Sequence, residues 1–320
     1  MHILFTVMMP FVANGENIFI IESYHENFQW DIEYKKGITE NLSGTHNFSY
    51  FQMDTKRLPK DKHAQMADHA WQKYLSIKPD IVVLGDDNAL KYLGPRLKHT
   101  NTPVVYLGIN NNPRNYELYQ ANNITGVLER PLLKRSIIYL NKLFEHVDKV
   151  LVLFDASPSS SAAVSMEFKT SNVMKLGGIS IEVDQITQYS LWQQKVRKAK
   201  NNEIDFIILG LYQTMLDEQG NIVSASQVIE WTSAHSLVPV FGFWDFSIGE
   251  NKAIGGLVIE GYQQGYSAAQ ILNQIIAGKK VINIRPQVAK KGRFIFSKTE
   301  LAKHKLVIPN ELKKTINWVK

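Results

Sequence analysis

The chain has 320 residues, 44% hydrophobic and 21% charged, which fits two α/β domains with substantial cores. Its formal net charge of +6 comes from 36 basic and 30 acidic residues. Much of the excess lies in the C-terminal tail, interleaved with Val, Ile and Phe, so solvated faces are expected and a nucleic-acid partner is not. With no cysteine, disulfides, thiol catalysis, Cys-ligated zinc and iron–sulfur clusters are excluded.

Ile3 to Val12 is an apolar run broken by Thr6 and Pro10, and Ala13-Asn14-Gly15 follows. This resembles a secretory signal peptide over 1–15, cleaved before Glu16, although no Lys or Arg precedes the run. An extra N-terminal strand or leader is the alternative. No other stretch approaches the ~20 apolar residues of a membrane span. A soluble, exported, periplasmic product is expected, and the missing cysteine argues against a lipoprotein.

From Asn17 onward one pattern recurs. A short apolar run stops at small or polar residues, and an amphipathic stretch follows. It reads 17–21 then Glu22-Ser23-Tyr24-His25, 81–84 then Gly85-Asp86-Asp87-Asn88, 150–154 then Asp155-Ala156-Ser157, and 206–209 then Gly210-Leu211-Tyr212. Such alternation predicts parallel strands buried on both faces and joined by crossover helices. In chain order, a strand at 17–22 precedes a helix at 30–42, a strand at 48–53, a helix at 62–77 and a strand at 81–84. A short helix from Asp87 and a strand at 104–107 complete the first unit.

Turn formers fill 108–123, Ile124 to Val127 makes a crossing, and a second unit begins with Pro131 in the first turn of a helix. Helices are predicted at 131–144, 159–174, 189–200 and 224–235, and strands at 149–154, 179–184, 205–210 and 238–241. A further apolar stretch at 254–259, a helix at 264–276 capped by Gly278, and a strand at 292–296 end the series. Because the second unit returns the chain to the first near residue 256, two lobes joined by a hinge are expected. Their boundaries read as 16–126 plus 257–288, and 127–256 plus 289–320.

In parallel sheets ligands bind beyond the carboxyl ends of the strands. The residues there are the candidate ligand groups. Ser23, Tyr24 and Trp30 offer hydroxyls and a flat apolar surface. Asp86, Asp87 and Asn88 stand where a strand becomes a helix, and helix capping is an equally good account of them. Asn110 ends the fourth strand, where turn formation explains it as well as ligand contact. Asp155, Ser157 and Ser159 open a helix whose N–H groups could seat a carboxylate, or cap themselves. Tyr212 ends another strand. Trp244 and Asp245 lie in the aromatic loop Phe243-Trp244-Asp245-Phe246, suited to hinge packing or to an ammonium held by ion pairing and cation–π attraction. Phosphate-loop, dinucleotide, nucleophile-elbow and HExxH motifs are absent, and His63 and His69 are six apart, off the spacing that would place them on one helix face. No enzymatic role, cofactor or metal is expected.

Several stretches resemble the ABC-transporter substrate-binding family that includes tryptophan/tyrosine-binding proteins. They are Ile20-Ile21-Glu22-Ser23-Tyr24-His25 with Trp30, Gly85-Asp86-Asp87-Asn88-Ala89-Leu90, and Pro239-Val240-Phe241-Gly242-Phe243-Trp244-Asp245. Ala253-Ile254-Gly255-Gly256 with Gly261, Gln264-Gly265, Ala268-Ala269 and Ile271-Leu272 agrees too, as does Leu306-Val307-Ile308-Pro309. The resemblance implies a type I periplasmic-binding-protein fold: two Rossmann-like α/β lobes closing on a small solute in a hinged cleft. It implies delivery of a small polar solute to an ABC permease; the family's aromatic-amino-acid binders guide the choice of ligand without fixing it, and a monomer is expected. The alternatives are presentation of the closed form to a membrane sensor and, less favoured, an α/β enzyme.

Overall fold

The computed structural model describes residues 15–130, 132–289 and 292–320. All of the expected signal peptide except Gly15 lies outside the described residues. Strands β1 (Asn17–Glu22), β2 (Asn47–Gln52), β3 (Ile81–Gly85), β4 (Val104–Ile109) and β5 (Ile124–Leu128) alternate with helices α1 (Gln29–Asn41), α2 (Lys60–Ile77) and α3 (Asp86–Leu97). Then come α4 (Leu133–Leu140), β6 (Lys149–Asp155), α5 (Pro158–Phe168), β7 (Val173–Leu176), β8 (Ile179–Ile186) and α6 (Tyr189–Lys198). The chain continues through β9 (Phe206–Leu209), α7 (Ala225–His235), β10 (Val240–Gly242), β11 (Gly255–Val258), α8 (Gly261–Ile276) and β12 (Gln287–Val288). It closes with β13 (Arg293–Ser297), α9 (Lys298–Lys303), α10 (Asn310–Lys313) and β14 (Ile316–Val319).

One sheet has the order β12-β5-β4-β3-β1-β2 with every pairing parallel. A second has the order β10-β9-β6-β8-β7, and a third runs β11-β13-β14. The apolar runs are strands because both faces are covered. In β1, Ile18 and Ile20 enter the core shared with α1 and α8, while Phe19 and Ile21 enter the core under α2 and α3. In β6, Val150, Val152 and Phe154 face one way and Leu151 and Leu153 the other. Among the described residues no helix is long and apolar enough to cross a membrane.

The structure corrects the sequence reading in two places and extends it in two. The segment read as a crossing at Ile124 to Val127 is β5, paired in parallel with β4 and β12 inside the first sheet. The helix expected at 159–174 stops at Phe168, and Val173–Leu176 forms β7, antiparallel to β8. Gly177 and Gly178, with φ of +56° and +93°, make the two-residue turn between them, the backbone that such hairpins need. Strands β12 and β14 carry no sequence signal: one is two residues long, the other is an edge strand mostly open to solvent. Gly278, at φ +86°, donates its N–H to Ile275 O and ends α8 as expected.

Candidate functional site

The carboxyl ends of strands from the first two sheets converge on a cavity of about 1010 Å³. Tyr24, His25 and Phe28 follow β1, Thr55 to Lys60 follow β2, and Asn88 opens α3. Opposite them, Ala156 to Ser159 follow β6, Thr187 follows β8, and Gln213, Thr214 and residues 220–225 follow β9. Of the residues singled out in the sequence, Tyr24, Asn88, Ser157 and Ser159 are on this wall. Ser23, Trp30, Asp86, Asp87, Asn110, Asp155, Tyr212, Trp244 and Asp245 are not; most of them make the buried layer behind it.

Ser23 stitches the first sheet's edge together. Its hydroxyl donates to Gly85 O and accepts from Ala89 N at 2.8 Å, and its carbonyl accepts from the Thr55 hydroxyl at 2.8 Å. Asn88 in turn donates to Thr55 Oγ1 at 2.9 Å. This frame holds Lys56, the next residue, against the cavity. Lys56 is only 8% exposed, its Nζ lies 4.4 Å from the Tyr24 ring centroid and 5.0 Å from that of Phe28, and it donates to Gln213 Oε1 at 3.3 Å. That bond links the loop after β2 to the loop after β9.

Behind the wall lie several buried carboxyls. Asp87 accepts from Asn110 N and Asn111 N, each at 3.1 Å, and from the Tyr116 hydroxyl at 2.8 Å, so it anchors the loop after β4. Asp86 takes a left-handed conformation, φ +68°, as the first residue of α3. Its Oδ1 accepts from Trp30 Nε1 at 3.0 Å, and its Oδ2 is buried without a partner among the described residues. Burial, then the neighbouring Asp31 and Glu129, push its carboxyl well above the usual range. Glu129, just past β5, accepts from Trp244 Nε1 at 2.6 Å, and burial pushes it up to about 8. Among the described residues Asn110 leaves its Oδ1 buried without a partner.

Across the cavity, Asp155 accepts from Ser157 N, the Ser160 hydroxyl and Thr214 N at 3.0 Å. The Ser157 hydroxyl caps α5 by accepting from Ser160 N at 3.3 Å. Phe246 bridges the two sides, its ring 5.9 Å from Phe28 and 6.3 Å from both Trp244 and Tyr212. Asp245 sits away from the cavity beside Glu260 and Glu33, and burial, then Glu260, push it up to about 7. Among the described residues no cluster of His, Asp and Glu is arranged to hold a metal ion.

Sequence reasoning did not single out Lys56, Phe28 or Gln213. Lys56 and Gln213 sit in irregular loops, where periodicity carries no signal. Their position just past strand ends was the clue that could have found them.

A family model described as "ABC transporter substrate binding protein" matches residues 49–320. No curated protein gives a significant sequence match. Among solved structures, the chain is similar to the ABC domain in complex with L-Trp from Streptococcus pneumonia, at 17% identity and TM-score 0.71, over 96% of this chain and 100% of that one. It is also similar to a conserved domain protein from Vibrio cholerae, at 16% identity and TM-score 0.70, over 96% and 100% of the two chains. A third is the ligand-free, open substrate binding protein with adhesive properties from Clostridium difficile, at 13% identity and TM-score 0.65, over 95% and 99%. The fold shared with them is the type I periplasmic-binding-protein fold, with two Rossmann-like lobes and a cleft between. With the model matching most of its length, the chain belongs to the ABC transporter substrate-binding protein family.

Proposed function

We propose that this protein captures a small polar solute between two lobes and delivers it to an ABC permease from the periplasmic side of the membrane. The lobes are 16–126 with 257–288 and 127–256 with 289–320, and solute binding favours their closed arrangement. The observation that carries this reading is the cavity of about 1010 Å³, walled by the carboxyl ends of strands from two separate sheets. Its volume suits a metabolite of ordinary size, and its wall mixes rings such as Tyr24 and Phe28 with polar groups such as Asn88, Ser159 and Gln213. The L-Trp held by the pneumococcal relative puts aromatic solutes of that size first among the candidates. Tyr24, Asn88, Ser157 and Ser159 contact the solute directly in this proposal. Ser23, Trp30, Asp86, Asp87, Asn110, Asp155, Tyr212, Trp244 and Asp245 shape the cleft behind them.

The test is a thermal-shift screen of the purified protein against a metabolite library, paired with mass spectrometry of small molecules released on denaturation. A solute that co-purifies or raises the melting temperature supports the reading. A melting temperature unmoved by every library compound, with no small molecule released on denaturation, overturns it.

A further inference from the structure

The cavity wall has a charge pattern of its own. Among its described residues there is no Asp or Glu, while Lys56, Arg57 and Lys60 are all present. Arg57 is already taken by Asp54 at 2.7 Å, and Lys60 is exposed. Lys56 is different, because it is buried and its one hydrogen bond goes to a neutral amide. Among the described residues it forms no ion pair. An ammonium taken out of water without a counter-ion is costly, and two aromatic faces compensate only in part.

We propose that the cavity takes an organic anion (a small carboxylate, sulfonate or phosphate ester) and that Lys56 is the residue that recognises its charge. This rests on the reading of the cavity as a solute site, and it narrows the solute class. The acids nearest Lys56 do not fill the role of counter-ion. Asp155 acts on Lys56 through its charge but forms no ion pair with it among the described residues, its oxygens being held by Ser157 N, the Ser160 hydroxyl and Thr214 N. Burial pushes Asp86, Asp31 and Glu129 toward their neutral forms. The wall also receives the N-terminal ends of α2, α5 and α7, at Pro59-Lys60, Ser157 to Ser159 and Ser224-Ala225. The first of these has no capping side chain. Positive helix ends reinforce the same sign. A zwitterion would also need a carboxylate on the wall for its ammonium, and none is there.

The experiment screens the purified full chain by thermal shift, then calorimetry, against four panels matched in size. They hold organic anions, zwitterionic amino acids, organic cations, and neutral sugars and nucleosides. Hits should concentrate among the anions. Lys56→Met and Lys56→Gln should each lower affinity for the best anion at least about tenfold with the fold retained by circular dichroism. The best binder falling in any other panel overturns the inference and leaves the solute-binding reading standing, as does an unchanged anion affinity in either folded variant. Should no panel bind at all, the solute-binding reading falls and the inference with it. The wild-type comparison needs no variant, so it decides the matter even if both substitutions unfold the chain.

Discussion

Glu129 shows how one buried acid links stability to pH. Its folded pKa of about 8 lies above the 4.5 of an unperturbed glutamate, because burial penalises the anion more than the Trp244 N–H stabilises it. The folded state therefore holds a proton that the unfolded state releases. That contribution to stability is complete below about 4.5 and lost as pH rises through about 8, at about 1.4 kcal/mol per pH unit between. Asp245, raised to about 7, adds a fall of the same sign over a narrower window. Denaturant unfolding at pH 5, 6, 7 and 8 should show stability declining, and Glu129→Gln should flatten much of the decline while keeping an acceptor for Trp244. An unaltered slope in that variant would show that Glu129 is ionised in the fold. Trp244→Phe removes the donor and should destabilise the protein by about 1–3 kcal/mol at pH 8, where Glu129 is half ionised. At this scale the sequence was only partly legible. Tyr24, Asn88, Ser157 and Ser159 lie next to strands with clear apolar runs and could be placed. Lys56 follows β2, whose residues are exposed or half-buried, so no strong hydrophobic pattern pointed to its end.

Helices α1 and α8 pack against each other at unusually close range, and glycines permit it. A Cβ on Gly265 would lie 2.0 Å from Tyr34 O, and one on Gly37 would lie 2.3 Å from Tyr262 O. Neither neighbour can yield cheaply, since both atoms are backbone. Gly265→Ala should therefore force the helices apart and cost about 1–3 kcal/mol or more, against the gain of up to about 1 kcal/mol that Ala brings to an unpacked helix. Urea unfolding of this variant beside Gln270→Ala, at an exposed position on the same helix, measures the difference. Equal stability of the two would mean that the close approach is not needed. The elements themselves were the most legible level, because strands covered on both faces must be apolar throughout and helices on a sheet must be apolar on one side. The β7–β8 hairpin was missed because Val164 to Met174 has helix-compatible spacing that outweighs the Gly177-Gly178 turn in a local reading. Three-dimensional context decides it: β7 forms the edge of the second sheet by pairing with β8.

At the scale of the molecule, the chain passes between the sheets after β5, again between β11 and α8, and again between β12 and β13. Those repeated passages explain why residues distant in sequence share one lobe, and why a single crossing could not be inferred from any one segment. Side chains also join the two sides of the cleft directly. Phe28 meets Phe246 at 5.9 Å, and Lys56 meets Gln213 at 3.3 Å. An aromatic pair contributes about 0.5–1.5 kcal/mol beyond its buried area, which corresponds to a shift of about 2–12-fold between open and closed forms. Phe246→Ala should thus open the free protein, raising the radius of gyration measured by small-angle scattering. Where the closed form is the one that binds, apparent solute affinity should fall by a factor set by the lost closed fraction. Excess solute should restore the compact scattering curve in the variant, because binding energy replaces the missing ring contact. A variant with wild-type scattering and wild-type affinity would mean that the Phe28–Phe246 contact does not govern closure.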